Sequence, residues 1–212
     1  CKIRSIIADS SDRIWISTFS DYGLIRYDNG HVVTFSKKDG LPSDRVRTVY
    51  ERSDGKFLVA CTGGVAVLDN DKVTKIYDSS YRIANPEILN VTEAFDGAVM
   101  MGTDGSGIYI INDGDNKSLH IGTEDGLMSD VVMRIKRDDV NNVYWLILSN
   151  SIAYLDSSYK IHVVKELPYS NNFDMYMNDK NEMWILSSNG IYVVPVEDLL
   201  KCEEINYTFY GM

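Results

Sequence analysis

Basic runs, long apolar runs and paired cysteines are all missing from this chain of 212 residues, and each absence removes a class of function. With 31 Asp+Glu against 21 Lys+Arg the formal net charge is −10, and no run of five or more basic residues offers a footprint for a phosphate backbone. Nucleic acid and anionic membrane are therefore not expected as partners. The longest apolar stretches are strand-sized, as at Trp145-Leu146-Ile147-Leu148. That is far short of the roughly 18–20 residues that cross a bilayer, and the N-terminus lacks the regions of a signal peptide, so the sequence predicts a soluble chain with no membrane segment. Cys1, Cys61 and Cys202 lie far apart with no C-x-x-C pair, which argues against a disulfide scaffold or a structural zinc site and for free thiols.

What the sequence does contain is a repeat. Five segments share a turn, an apolar strand, a small-residue turn and a second apolar strand, anchored on Trp15, Leu58, Met100, Trp145 and Trp184 at spacings of 43, 42, 45 and 39 residues. That period is the length of a four-stranded propeller blade. Downstream of each anchor a small residue, Gly23, Gly64, Gly107, Ser151 or Gly190, opens the next apolar stretch, as a hairpin turn needing positive φ requires. A second signature, Asp39-Gly40-Leu41-Pro42-Ser43-Asp44-Arg45-Val46, recurs at Asp125 to Val132, where one blade hands over to the next.

The predicted fold is therefore all-β: five repeats of a four-stranded antiparallel sheet forming β-propeller blades, with approximate boundaries 1–44, 45–86, 87–130, 131–171 and 172–212. Inner strands are expected at Ile3–Ala8, Arg45–Tyr50, Glu87–Thr92, Val131–Lys136 and Asn172–Met177. Outer strands are expected at His31–Ser36, Val73–Tyr77, Ser118–Ile121, Lys160–Val164 and Ile205–Phe209. A single helical turn is expected at Val196 to Lys201. Because each repeat supplies its own first and last strand, none is left over to lock a ring, and an open arc is preferred, belonging to a larger propeller or associating with another copy of the chain.

These residues resemble the two-component regulator propeller repeat, whose pattern is approximately D-G-x-L-W-I-G-T, a G-L hairpin and a G-L-P-S-N-x-V linker. The match is strongest at Trp15, Trp184, Gly102-Thr103, Gly40-Leu41-Pro42-Ser43 and Gly126-Leu127-Met128-Ser129, and weakest where Tyr81 to Pro86 replaces the linker. The resemblance implies the periplasmic or extracellular sensor region of a bacterial membrane receptor, responsive to carbohydrate and not itself an enzyme. The alternatives are a propeller hydrolase or lyase acting on a saccharide, or a structural protein-interaction propeller.

Aromatic residues at one recurring position, such as the anchor tryptophans, are expected between blades, where they pack, not on a sugar. His31, His120 and His162 fall on outer strands of different blades, so neither a metal site nor a nucleophile's base is expected, and no cofactor is implied. A saccharide hydrolase would need two carboxylates converging at roughly 5–10 Å, and the spacing supplies no such pair. Positions that vary between blades are the ones able to specialise. On the face carrying the second-to-third-strand turns and the blade linkers, Asp21, Tyr22, Asp44, Arg45, Arg47, Arg82, Asp104, Asn171 and Asn172 are therefore the candidate ligand-binding residues. Asp44 and Asp130 have a competing structural role, capping a turn.

Overall fold

In the computed structural model, residues 2–149, 151–165, 167, 171–202 and 205–211 are described. The first sheet holds β1 (Ile3–Ala8), β2 (Ile14–Thr18), β3 (Leu24–Asp28) and β4 (His31–Phe35). The second holds β5 (Val46–Glu51), β6 (Phe57–Cys61), β7 (Gly64–Asp69) and β8 (Lys72–Tyr77), and the third β9 (Ile88–Glu93), β10 (Val99–Thr103), β11 (Ile108–Ile111) and β12 (Leu119–Ile121). β13 (Val132–Asp138), β14 (Val143–Leu148), β15 (Ile152–Asp156) and β16 (Ile161–Val164) form the fourth. The fifth has β17 (Asn172–Met177), β18 (Glu182–Ser187), β19 (Gly190–Pro195) and β20 (Thr208–Gly211), with the single α-helix described, α1 (Val196–Lys201), between the last two. Every sheet is an antiparallel meander in chain order, so each is a blade built from one repeat.

Strand alternation explains how the blades stack. Successive side chains point to opposite faces, so the anchor position looks toward the following blade and its two neighbours look back. Trp15, with Leu24 and Phe35, packs against Val49, Phe57 and Val59 of the second blade, the Trp15 and Phe57 rings lying 4.4 Å apart. Leu58 and Val65 likewise meet Val91 and Met101 of the third blade, Met100 meets Tyr144 of the fourth, and Trp145 meets Met183 and Ile185 of the fifth. Each side chain of this size taken fully out of water contributes about 1.5–3 kcal/mol, so the four apolar layers between sheets are the main stabilising element.

A buried indole N–H needs an acceptor. Trp15 donates to Asp9 at 2.7 Å and Trp145 to Asp138 at 2.9 Å, both carboxylates being buried at the first hairpin of their blades. Where the anchor has no N–H, beside Leu58 and Met100, the corresponding position is Arg52 or Ala94. The small residue after the anchor is also dictated locally. At Gly64 (φ 143°) and Gly107 (φ 67°) an added Cβ would stand 2.4 Å and 2.3 Å from a carbonyl oxygen of the outer strand.

Each of the first three linkers makes one 3₁₀ turn, at Lys37–Asp39, Ser79–Tyr81 and Thr123–Asp125, closed by a left-handed residue and then a buried aliphatic. The divergent linker of the second blade keeps this conformation: Arg82 (φ 64°) takes the place of Gly40 and Gly126, and Ile83 that of Leu41 and Leu127. Asp44 accepts the Lys37 N–H at 2.6 Å and Asp130 that of Thr123 at 2.8 Å, the turn-capping role anticipated for them.

Among the described residues, the first and fifth blades do not pack on one another as sequential neighbours do. The backward face of the first blade leaves Ile6, Tyr27 and Val32 exposed, and the forward face of the fifth leaves Tyr176, Trp184 and Leu186 exposed. Trp184 occupies the same register as the buried Trp15 and Trp145 but is 37% exposed, because no further sheet covers it.

Candidate functional site at the central opening

The inner strands β1, β5, β9, β13 and β17 carry one irregularity in common. In each, the pairing with the second strand slips by one residue near the start, and the residue stepped over is Arg4, Arg47, Leu89, Met133 or Phe173. A β-bulge removes a residue from the ladder and re-aims its side chain. Here the first four line a single concavity at the central opening, joined by Arg134. It continues into a space of about 360 Å³ bordered by Ser5, Thr48, Asn90, Lys136 and Asp174.

The ring is electrostatically lopsided. Its first two bulge residues are cationic and the next three apolar. The Arg47 guanidinium lies 4.4 Å from the centroid of the Phe19 ring, with those of Arg4 and Arg45 at 5.0 Å and 5.4 Å from the same ring. The backbone brings them together, because Phe19 bridges to Arg45 across the blade boundary and its N–H donates to Lys2 at 2.7 Å. Among the described residues, the one ion pair made by these three arginines is a 3.8 Å approach of Arg47 Nη2 to Glu87 Oε2. Arg47 Nε is buried with no hydrogen-bond partner. Burial, and then the facing charge of Arg4, hold the Arg47 guanidinium below its ordinary pKa against the opposing pull of Glu87 and Asp104. A guanidinium stays protonated even so, and the result is concentrated positive charge in a chain of net charge −10. Across the opening Arg134 and Lys136 share Asp174, at 3.7 Å and 2.7 Å.

Of the nine candidates read from the sequence, the structure brings Arg45 and Arg47 together, with Asp104 near enough to Arg47 to act on its charge. Asp21 and Tyr22 stand exposed at the tip of their turn, Tyr22 at 60%. Asp44 is committed to its turn, and Arg82 is an exposed left-handed cap. Asn171 is exposed on the linker side, whereas Asn172 is buried at the start of β17. Sequence reasoning missed Arg4, Glu87 and Arg134. A signal existed for the first: Arg4 and Arg47 are 43 residues apart, the blade period itself.

The histidines lie on β4, β12 and β16, the outermost strands, as expected. His162 stacks on Tyr154 and His120 lies tilted against Tyr109, and the two histidines sit 3.1 Å from Asp156 and Glu124 respectively.

Five four-stranded antiparallel meanders, inner strands around a common opening, define a β-propeller of five blades. No family model and no curated protein matches the chain. Solved structures do. The chain is similar over 99% of its length to the extracellular domain of BT3049 from B. thetaiotaomicron, designated a hybrid two component system, with a TM-score of 0.82 and 19% identity, and it covers 29% of that chain. It is similar over its full length to virginiamycin B lyase from Staphylococcus aureus, with a TM-score of 0.77, 16% identity and 71% of that chain covered. A gluconolactonase from Xanthomonas campestris matches 87% of the chain at 10% identity, with a TM-score of 0.66 and 69% of that chain covered. At these identities the likeness is one of fold. The chain spans less than a third of the extracellular domains it matches.

Proposed function

We propose that the chain is a ligand-recognising segment of a periplasmic or extracellular sensor in a bacterial signalling receptor, binding a saccharide at the central opening without turning it over. The observation that carries this reading is the ring of bulges. The repeat is kept where blades pack, while the five residues that the bulges release are Arg, Arg, Leu, Met and Phe. A scaffold that repeats its packing and varies its inner ring is built to recognise something asymmetric. The fold likeness to extracellular domains designated as hybrid two component systems supports the same reading.

The rival is a propeller lyase or hydrolase, as the virginiamycin B lyase and gluconolactonase folds illustrate. Such chemistry calls for a group able to hold and deliver a proton at the opening. Of the carboxylates near the opening, Asp174 is taken up in ion pairs with Arg134 and Lys136, and Glu87 accepts from the Thr62 hydroxyl and faces Arg47. The histidines are on the outer strands, away from the opening. Both facts favour binding over turnover. The test is a panel of neutral and acidic oligosaccharides, each assayed for binding by calorimetry and for cleavage by mass spectrometry. Binding with the oligosaccharide recovered intact is expected, and cleavage of any member would overturn the reading.

A further inference from the structure

We infer that Arg4, Arg45 and Arg47, gathered around Phe19, form an oxyanion site at the mouth of the central opening, and that the saccharide bound there is an acidic one, carrying a carboxylate or sulfate. The inference deepens the proposed function and rests on it for the saccharide alone; the oxyanion site stands on its own geometry.

Three guanidiniums within 5.4 Å of one ring centroid repel one another, and the ring's electron-rich face offsets only part of that. The carboxylates nearest to hand do not complete the compensation. Glu87 stands 3.8 Å from Arg47 and accepts from the Thr62 hydroxyl at 3.3 Å, so it is neither close nor free to make a two-point pair. Donor capacity is thus held in place and unspent: the forks of Arg4 and Arg45 are exposed, and the buried Nε of Arg47 makes no hydrogen bond. A planar fork matches a carboxylate or sulfate in two-point geometry. An arriving oxyanion would relieve the repulsion and take up the exposed forks together. Arg4 and Arg47 sit on bulges and Arg45 at a blade boundary, positions released from the regular ladder, so the cluster is not a by-product of the fold's core.

The apolar part of the same ring decides the rest of the ligand. Leu89 and Met133 line the same concavity as Arg4 and Arg47, and a small inorganic anion has no use for them. A pyranose bearing a charged substituent does: its C–H face packs on the apolar side while the oxyanion reaches the cationic one.

The experiment titrates the 212-residue chain with inorganic sulfate, with digalacturonate and with the neutral disaccharide galactobiose, by calorimetry at low salt, on wild type and on Arg4→Met, Arg47→Met and Arg47→Lys. Methionine keeps the bulk without the charge, and circular dichroism melts verify folding. Digalacturonate is expected to bind more tightly than sulfate, to lose about tenfold in each Met variant, to regain part of that in Arg47→Lys, and to weaken as salt rises. Sulfate binding that is lost in the Met variants, with neither disaccharide bound, keeps the oxyanion site and overturns the saccharide sensor. Galactobiose bound as tightly as digalacturonate, with affinity unchanged in the Met variants, overturns the oxyanion site and leaves the sensor standing. No binding of sulfate or digalacturonate at millimolar concentration overturns the inference outright.

Discussion

Replacing Asp138 with alanine tests whether the indole braces hold the blades in register. The carboxylate is 4% exposed and accepts four hydrogen bonds: from the Trp145 indole at 2.9 Å, from Asn141 Nδ2 at 2.7 Å, and from the backbone N–H groups of Val140 and Asn141 at 3.0 Å and 3.1 Å. Alanine accepts none of them. The indole belongs to a ring 2% exposed and has no water to turn to, so leaving its N–H unpaired costs about 1–3 kcal/mol. The turn N–H groups lie beside Val140, which is 81% exposed, and regain water. Their loss adds roughly 0.5–1 kcal/mol. The expected destabilisation is about 2–4 kcal/mol, a drop of roughly 5–15 °C in melting temperature for a chain of this size. Asp138→Asn keeps one acceptor oxygen and should lose about half as much. If the indole is the main creditor, Trp145→Phe made on top of Asp138→Ala will cost less than Trp145→Phe alone, a coupling of about 1–2 kcal/mol in urea melts followed by circular dichroism. The pH dependence has a definite sign. Burial alone would push the Asp138 carboxyl up, but the hydrogen bonds from Asn141, Trp145 and Val140 bring it below its ordinary value. A carboxylate whose folded pKa is depressed stabilises fully above its unfolded pKa, near 3.9, and loses that contribution as pH falls through the folded value. The gap between wild type and Asp138→Asn should therefore be constant from pH 5 to 8 and narrow below about pH 4. An Asp138→Ala chain within 0.5 kcal/mol of wild type, or strictly additive double-mutant costs, would refute the argument.

Three further outcomes are expected. Gly107→Ala, which sets a Cβ 2.3 Å from the Ile121 carbonyl at φ 67°, should destabilise by about 2–4 kcal/mol in the same melts, whereas Gly114→Ala, strained by its φ of 97° but with nothing within 4 Å, should cost less, about 1–2 kcal/mol. Native-state alkylation followed by mass spectrometry should modify Cys202 well before Cys61, whose thiol is fully buried and pushed up to about 12 by that burial; early labelling of Cys61 would show the second blade to be loosely packed. Sedimentation velocity should show concentration-dependent association through the two uncovered blade faces, abolished by Trp184→Glu or Ile6→Glu, and a monomer at every concentration would show that those faces need no cover.

Much of the architecture was legible because packing repeats. The anchors fixed the blades, and the inner strands at Ile3–Ala8 and Asn172–Met177 and the helix at Val196–Lys201 fall where the pattern puts them. The fifth outer strand does not. Expected at Ile205–Phe209, it pairs instead over Thr208–Gly211, because Asn206 is held by Asp198 of the helix and the ladder can begin only after it. The second linker was illegible for another reason. Tyr81-Arg82-Ile83 shares no letter with Asp39-Gly40-Leu41, and only the backbone shows that an arginine carries the left-handed cap there. The indole braces were missed although Asp9 and Asp138 stand six and seven residues before their tryptophans. The central ring was hidden more deeply, since a bulge displaces one residue from a period-two pattern without altering the letters around it.

Those bulges give the molecule a separation of duties. A side chain lifted out of the ladder at Arg4, Arg47, Leu89 or Phe173 belongs neither to the paired framework nor to the apolar layers between sheets, and Met133 alone of the five also packs against the layer between the fourth and fifth blades. Such a site can be rewritten at small thermodynamic risk, one letter per blade, while the scaffold goes on folding as before. The five positions act as an alphabet wheel: sequences with the same framework can present unrelated chemistries to the opening, and a library randomised at these positions alone should yield new ligand preferences from proteins that melt within a few degrees of the parent.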